Sequence, residues 1–197
     1  MKLKYLWKPL VVLSAAATTT GAFGAGPQVD VKTNVGTIRL ELYPTKAPRT
    51  VENFLQYVKE GHYNGTVFHR VIDGFMIQGG GFDANFKQKP TRPPIPNEAQ
   101  AGVKAGVKND IGTVAMARTA DPNSATAQFF INVNDNAFLN WGDSRSDGNG
   151  YAAFGKVVSG MDVVTKIAKT PTGSRGGFSD VPRQAVVIES VTLVGGK

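Results

Sequence analysis

The chain alternates apolar and polar residues with a period of two over much of its length. Residues 29–43 read VDVKTNVGTIRLELY, with this alternation on both sides of Asn-Val-Gly. The pattern predicts two strands joined by a turn. Further strands are predicted over 111–116, 128–133, 151–158 and 185–194, the last of which is rich in β-branched residues.

Two segments instead carry a helical period. The first begins near Pro48, ends before Gly61 and places apolar residues at i, i+3, i+4 and i+7, namely Val51, Phe54, Leu55 and Val58. The second starts after Ser159, a possible N-cap, and its apolar face comprises Met161, Val164, Ile167 and Ala168.

Many short strands and two widely separated helices predict a mainly antiparallel β architecture and argue against a parallel α/β fold. A chain of 197 residues is long enough for one sizeable core and too short for two comfortable domains. Two segments, 89–98 with its four prolines and 142–150, are predicted to be ordered loops. The proline-rich segment is interpreted as a connector, which is favoured over a partner-binding motif.

The first residues have the pattern of a secretory signal peptide. Lys2, Lys4 and Lys8 precede an apolar run at 10–17, and small residues follow. Cleavage is predicted after Gly24, with Ala22 and Gly26 as alternatives. We therefore expect a signal peptide over 1–24 and a single domain over 25–197. A membrane anchor is the alternative, although a span needs about 20 apolar residues.

Charge and composition exclude several function classes. Removing the three lysines of the leader lowers the formal charge from +7 to +4, and no dense cluster of lysine and arginine is present, so nucleic-acid binding is not expected. The chain has no cysteine. Disulfides, a thiol nucleophile and a thiolate metal site are therefore excluded.

Three catalytic or ligand-binding motifs are incomplete. GYAAFGK at 150–156 matches a phosphate-binding loop until Val157 replaces its hydroxyl residue. Asp143 and Asp147 suggest a calcium loop, but Arg145 stands where an oxygen ligand belongs, and Phe154 stands where the bidentate glutamate belongs. A serine hydrolase is disfavoured because the nucleophile motif GxSxG is missing.

The chain has two histidines, and both are expected to be structural. His62 lies at the end of the first helix, where a cation is favoured by the helix dipole. His69 precedes Arg70 on a predicted strand, so the two side chains should point to opposite faces. A core position is more consistent with His69 than a catalytic one.

The run FHRVIDGFMIQGGGF at 68–82 favours β structure yet carries Arg70 and Gln78. In chain order the sequence contains FHR, GFM.QGG, MAR, QFFI and FGKVV, spread over about residues 30–194. These motifs resemble those of the cyclophilins, the peptidyl-prolyl cis/trans isomerases. With the export signal, Phe138 and Tyr151, the chain is most similar to the periplasmic cyclophilins of Gram-negative bacteria.

This resemblance implies a mainly β, closed eight-stranded antiparallel barrel capped by two α-helices. It implies Arg70 as the catalytic residue, aimed at the prolyl nitrogen, with no cofactor and no metal. It also implies that Gln78 orients Arg70. The substrate-binding residues that it implies are Phe75, Met76, Gln78, Ala117, Arg118, Gln128, Phe130, Phe138, Leu139 and Tyr151.

The chain departs from the common family pattern at four of these motif positions. Asp73 replaces a proline, Arg118 an asparagine, Phe138 a tryptophan and Tyr151 a histidine. A two-residue hairpin at Asp73-Gly74 would place Gln78 on the face opposite Arg70. We therefore expect a wider loop or a bulge that adds one residue.

The expected function is isomerisation of X-Pro bonds during the folding of exported proteins in the periplasm. A proline-peptide-binding chaperone module, in which turnover does not matter to the cell, is the alternative. The expected partners are proline-containing polypeptides. We expect a monomer that binds no nucleic acid and is not stably inserted in a membrane once the signal is removed.

Overall fold

The computed structural model describes residues 26–195. Its strands are β1 (Gln28–Thr33), β2 (Gly36–Leu42), β3 (Thr66–Ile72), β4 (Met76–Asp83), β5 (Thr113–Met116), β6 (Phe129–Asn132), β7 (Ala153–Ser159), β8 (Thr172–Arg175), β9 (Phe178–Pro182) and β10 (Val187–Leu193). Its helices are α1 (Pro48–Lys59), α2 (Ala99–Lys104) and α3 (Met161–Ala168), with a short 3-10 helix at Ala137–Leu139.

Eight strands close into an antiparallel barrel in the order β1-β10-β3-β4-β6-β5-β7-β2. The predicted mainly β barrel is therefore confirmed. Strands β8 and β9 form a separate hairpin that packs against β3. Closure leaves no unpaired edge in the barrel, which removes a site for unwanted strand pairing.

The helices follow the prediction with two differences. Helix α1 has the predicted extent, and α3 begins at Met161. Ser159 is not its cap: Gly160 takes that position with a φ of +85°, a left-handed conformation that glycine adopts without steric cost. The short helix α2 was not predicted, because its six residues are too few for a helical period to stand out.

The core inside the barrel follows the two-residue alternation. Val31, Ile38 and Leu40 are fully buried, as expected for alternate positions that face inward. Both α1 and α3 add side chains to this core. Phe54 of α1 lies 5.2–5.7 Å, between ring centroids, from the rings of Phe129 and Phe154.

A second apolar cluster, called here the outer cluster, lies apart from the barrel core. Its buried members are Met76, Val107, Ala115, Phe130, Leu139 and Ala153. Strand β6 shows why the two clusters exist: Phe129 and Ile131 belong to the core, whereas Phe130 between them belongs to the outer cluster. A strand that is buried on both faces has a continuous apolar sequence.

The proline-rich segment completes helix α1. The N-cap residue Ala47 offers no side-chain acceptor, but the carboxylate of Glu98 accepts hydrogen bonds from the Arg49 and Thr50 backbone nitrogens at 3.2 and 2.8 Å. The carboxylate also accepts one from the Thr50 hydroxyl at 2.7 Å. A residue distant in sequence therefore caps the helix.

The predicted leader over 1–24 lies outside the described residues. Within 26–195, no helix combines the length and apolarity needed to cross a membrane.

Candidate active site

The register between β3 and β4 explains how an arginine fits in a largely buried strand. Phe68 pairs with Gly79 and Arg70 pairs with Gln78, so β3 advances by two residues while β4 advances by one. His69 is the extra residue of a bulge. Phe68 belongs to the barrel core, and without the bulge Arg70, two residues on, would face that core too. The bulge turns Arg70 outward.

The turn between the same strands is wider than the Asp-Gly pair suggests. Ile72 pairs with Met76, so Asp73, Gly74 and Phe75 form a three-residue loop. The Phe75 nitrogen donates to the Ile72 carbonyl at 3.1 Å, and Gly74 has a φ of +72°. The prediction of an added residue is confirmed, and Arg70 and Gln78 lie directly opposite each other.

Arg70 and Gln78 face a groove of about 290 Å³ beside the outer cluster. Nine of the predicted site residues line it: Arg70, Phe75, Met76, Gln78, Ala117, Arg118, Phe130, Leu139 and Tyr151. Gln128 and Phe138 are not part of this lining, but both contact residues that are. A larger concavity of about 420 Å³, between α1 and the proline-rich segment, contains none of the predicted site residues.

The Gln128 side chain lies beside the groove, where it bonds to Gln78 and passes close to the backbone of Gly81. The Gln78 Nε2 donates to the Gln128 Oε1 at 3.0 Å. A Cβ at Gly81 would come within 2.5 Å of the Gln128 side chain, so only glycine leaves room for it there. Among the described residues, the Gln78 side chain makes no hydrogen bond to Arg70. The sequence interpretation in which Gln78 orients Arg70 therefore lacks a direct contact.

The guanidinium of Arg118 is occupied within the protein. It donates to the carbonyls of Gly150 and Thr119 at 3.0 and 2.9 Å and to the Asp147 carboxylate at 2.6 Å. It also lies 4.4 Å from the centre of the Tyr151 ring, a cation–π distance. The hydrogen bond from Arg118 lowers the pKa of Asp147. The Arg118 side chain thus supports the groove wall, and burial together with these contacts limits its access to a peptide.

The rim is aromatic. Phe138 stacks on Phe75 with centroids 5.7 Å apart and an interplanar angle of 26°. Tyr151 meets Phe130 edge to face, also at 5.7 Å. Offset and edge-to-face aromatic pairs add about 0.5–1.5 kcal/mol beyond the area they bury. These pairs give the groove a rigid apolar wall.

Three buried asparagines that sequence analysis missed hold the backbone of this wall. Asn109 donates to the carbonyls of Leu139 and Tyr151, both at 3.1 Å. The other two are Asn136, which donates to the Phe75 carbonyl at 2.9 Å, and Asn132, which donates to Asn109. Buried amides that are fully paired rigidify a structure. No motif or period marks them, because the contacts span up to 61 residues of sequence.

The β8–β9 hairpin was also missed, although its sequence signal is present. Arg175 pairs with Phe178 across Gly176 and Gly177, whose φ values are +57° and +84°. A Gly-Gly pair is one of the strongest signals for a two-residue hairpin turn. The short flanking strands lack the hydrophobic alternation that would have identified them.

Both histidines are structural. The His62 ring nitrogen Nε2 lies 3.2 Å from the Gly80 carbonyl, and burial lowers the pKa of His62, so it does not act as the expected cation. The His69 ring packs 4.8 Å from Phe82 and 6.3 Å from Phe178 of β9. Arg70 also approaches β9, so the expected opposite orientation of His69 and Arg70 is wrong at this bulge.

His69 gives a testable pH dependence. Burial and then the neighbouring Arg70 charge lower its pKa to about 4 from the 6.5 of an unfolded chain, and Nδ1 has no partner among the described residues. Between these values the unfolded chain binds the proton and the folded chain does not, so stability falls as pH falls. We expect the titration of His69 to lower the free energy of unfolding by about 2 kcal/mol between pH 7 and pH 4.5.

The measurement is urea unfolding of wild type and His69→Gln at both pH values. His62 titrates in both proteins, so the difference between their pH slopes isolates His69. Equal slopes would contradict the expectation.

The calcium and phosphate motifs have structural roles. Asp143 accepts hydrogen bonds from Arg145, which lower its pKa to about 2, and Asp147 binds Arg118. Over 26–195, no group of three or more potential metal ligands occurs. Gly150 and Tyr151 lead into strand β7, and no helix follows them as a phosphate-binding loop requires.

Comparison with known proteins gives consistent results. The family described as cyclophilin type peptidyl-prolyl cis-trans isomerase/CLD matches residues 28–193. A peptidyl-prolyl cis-trans isomerase of Streptomyces antibioticus is 58% identical, covering 85% of this chain and 98% of that protein. Peptidyl-prolyl cis-trans isomerase A of Dickeya dadantii is 47% identical, covering 98% and 99%.

Among solved structures, a cyclophilin-type isomerase of Cryptosporidium parvum, crystallised in the presence of the dipeptide Ala-Pro, superposes with a TM-score of 0.67. It is 26% identical, and the match covers 86% of this chain and 99% of that protein.

Proposed function

The chain belongs to the cyclophilin-type peptidyl-prolyl cis-trans isomerases, which accelerate rotation about the bond preceding proline, and from this we propose that the groove beside Arg70 is its active site. One observation carries the proposal: the exposed guanidinium of Arg70 lines the same groove as a set of apolar side chains, namely Phe75, Met76, Phe130 and Leu139. The Arg70 side chain is 44% exposed, whereas that of Arg118 is 3% exposed and donates hydrogen bonds to Gly150, Thr119 and Asp147. Arg70 is therefore the arginine available to a substrate.

Arg70 acts on the resonance of the prolyl amide. Delocalisation of the nitrogen lone pair sets a rotational barrier of ~18–20 kcal/mol. In the twisted transition state the lone pair is localised and accepts a hydrogen bond, which it does not do in either planar ground state. A guanidinium N–H directed at this nitrogen binds the transition state preferentially. The reaction needs no cofactor, proton transfer or covalent intermediate.

The socket holds the proline ring while the bond rotates. Phe75, Met76, Phe130 and Leu139 form its apolar lining. Gln78 and Gln128, joined by their hydrogen bond, offer amide groups to the peptide backbone, and Ala117 lies next to them. The rim formed by Phe138 and Tyr151 limits how the chain leaves the socket. Burial of one end of the peptide lets the other end turn.

The substrates in this proposal are proline-containing polypeptides. The presence of Ala-Pro in the crystals of the Cryptosporidium relative supports this class, since that protein shares the fold. The socket is open at the surface, so it can take a proline within a longer chain.

A protease-coupled isomerisation assay tests the function. The purified chain 25–197 should accelerate cis-to-trans conversion of an Ala-Pro peptide far above the uncatalysed rate. Peptide binding without acceleration would instead assign a proline-peptide-binding chaperone module. Neither binding nor acceleration would remove the groove as the site.

We also propose that residues 1–24 are a cleavable export signal and that the protein assists folding in the periplasm. The barrel is built entirely from residues 28–193, so its strands need nothing from the leader. The lysines, apolar run and small residues of the leader support export. N-terminal sequencing of the protein from a periplasmic extract should begin at Ala25, and an intact Met1 on the membrane fraction would contradict the proposal.

A further inference from the structure

The proposed catalytic arginine has one ion-pair partner among the described residues. The Arg70 Nε lies 3.8 Å from the Asp180 Oδ2, and both side chains are about 40% exposed, at 44% and 41%. No hydrogen bond to the Arg70 side chain occurs within 26–195, and Gln78 bonds to Gln128. The group next to the guanidinium is therefore the carboxylate of Asp180.

The backbone at Asp180 is unusual. Its φ is +59°, and Phe86 is the other non-glycine residue with a positive φ in the described chain. Aspartate and asparagine enter this left-handed region more readily than most residues, but still at a cost. Strained backbone conformations persist where the surrounding structure enforces them and are common at functional sites. Asp180 therefore has a backbone conformation of the kind that occurs at functional sites.

The hairpin that carries Asp180 is anchored on the strand that carries Arg70. Phe178, two residues before Asp180, packs 5.0 Å from Phe82 and 5.4 Å from Phe86, and lies near His69 of the bulge. The bulge that turns Arg70 outward thus also seats the hairpin. One packing arrangement sets the positions of both charges.

The distance of 3.8 Å between the Arg70 Nε and the Asp180 Oδ2 suits a carboxylate that positions the guanidinium. It is too long for a direct hydrogen bond, yet within the range of an ion pair. A bidentate pair would occupy the guanidinium donors, whereas this contact attracts the Nε side and leaves the two terminal nitrogens free for a substrate. We propose that Asp180 is a positioning residue that holds Arg70 toward the groove.

This inference rests on the proposed function, since it assumes that Arg70 acts on the transition state. An exposed ion pair has a small effect, so Asp180→Asn should lower kcat about two- to five-fold. KM should not change, because Asp180 does not line the groove that binds the proline. Asparagine keeps the tolerance for a left-handed backbone and removes only the charge.

Two further variants separate charge from backbone strain. Asp180→Gly removes the carboxylate and relieves the strained φ, so it should lose kcat as Asp180→Asn does while its melting temperature does not fall. Glu52→Gln removes an exposed carboxylate on α1 that makes no hydrogen bond or ion pair to the described residues, and it should behave as wild type. In NMR spectra, the Arg70 Nε–Hε signal should shift in both Asp180 variants and stay in place in Glu52→Gln.

An unchanged or higher kcat in Asp180→Asn would overturn the inference, as would a loss confined to KM. If Asp180→Asn lowered kcat but Asp180→Gly kept the kcat of wild type, the effect would belong to the backbone conformation. That result would also overturn the inference. These outcomes are distinct from a failure of the proposed function, in which Arg70→Ala itself would retain full turnover.

Discussion

Replacing Arg70 by alanine should lower kcat/KM for X-Pro isomerisation by at least about 100-fold, equivalent to ~2.7 kcal/mol of transition-state stabilisation. The guanidinium is the exposed cation of the groove, whereas the other arginine in the lining, Arg118, is 3% exposed and binds groups of the protein itself. The loss should fall on the transition state, so the affinity for a ground-state proline peptide should change far less than the rate.

Arg70→Lys should also lower kcat/KM for X-Pro isomerisation. An ammonium keeps the charge but lacks the planar, rigidly spaced donors of arginine. Arg92→Ala is a matched control, because Arg92 pairs with Glu60 at the surface, away from the groove. The measurement is kcat/KM in the protease-coupled assay, with peptide affinity from calorimetry. Near-normal turnover in the lysine variant would show that charge alone suffices and that donor geometry is unimportant.

Cyclosporin should bind this protein one to three decades more weakly than it binds sensitive members of the family. Resemblance to those members places an indole N–H where this chain has Phe138, and phenylalanine has no donor. The lost hydrogen bond should cost ~0.5–1.5 kcal/mol, or ~1–3 if the ligand carbonyl is buried without a partner. Tyr151 also replaces a histidine in the same rim, which changes the neighbouring wall.

The structure makes Phe138→Trp a fair test. Phe138 stacks on Phe75 and is partly exposed, so a larger ring can be placed at the rim without opening the core. Tryptophan should tighten inhibition by restoring the donor while isomerisation persists, because Arg70 and the apolar socket are unchanged. Inhibition of wild type at low nanomolar concentration, or no tightening with tryptophan, would show that rim shape determines drug sensitivity.

Much of the fold could be predicted from local pattern. The alternation at residues 29–43 predicted β1, β2 and their turn, because each strand has one face in the core and one outside. The spacing of Val51, Phe54 and Val58 predicted α1 for the corresponding reason in helices. Local patterns failed where elements are short, as in α2 and β8–β9, whereas the strand predicted over 128–133 is β6.

The candidate site was predictable as a set of residues but not as a geometry. The motifs named Arg70, Phe75, Met76 and Phe130, which the structure brings together in one groove. They could not reveal that Arg118 is buried and occupied or that Gln78 bonds to Gln128. A motif records which side chains occur along the chain, whereas their partners depend on segments that only folding brings together.

The sequence by itself determined the class of fold, the two main helices and the family motifs, since these depend on short-range periodicity and residue identity. Only the tertiary structure decided which way Arg70 points, because this depends on a one-residue bulge at His69 and a three-residue loop at Asp73–Phe75. It alone also placed Asp180 beside Arg70, 110 positions away in sequence. Strand register is set by packing across the barrel, and a shift of one residue reverses every side chain that follows.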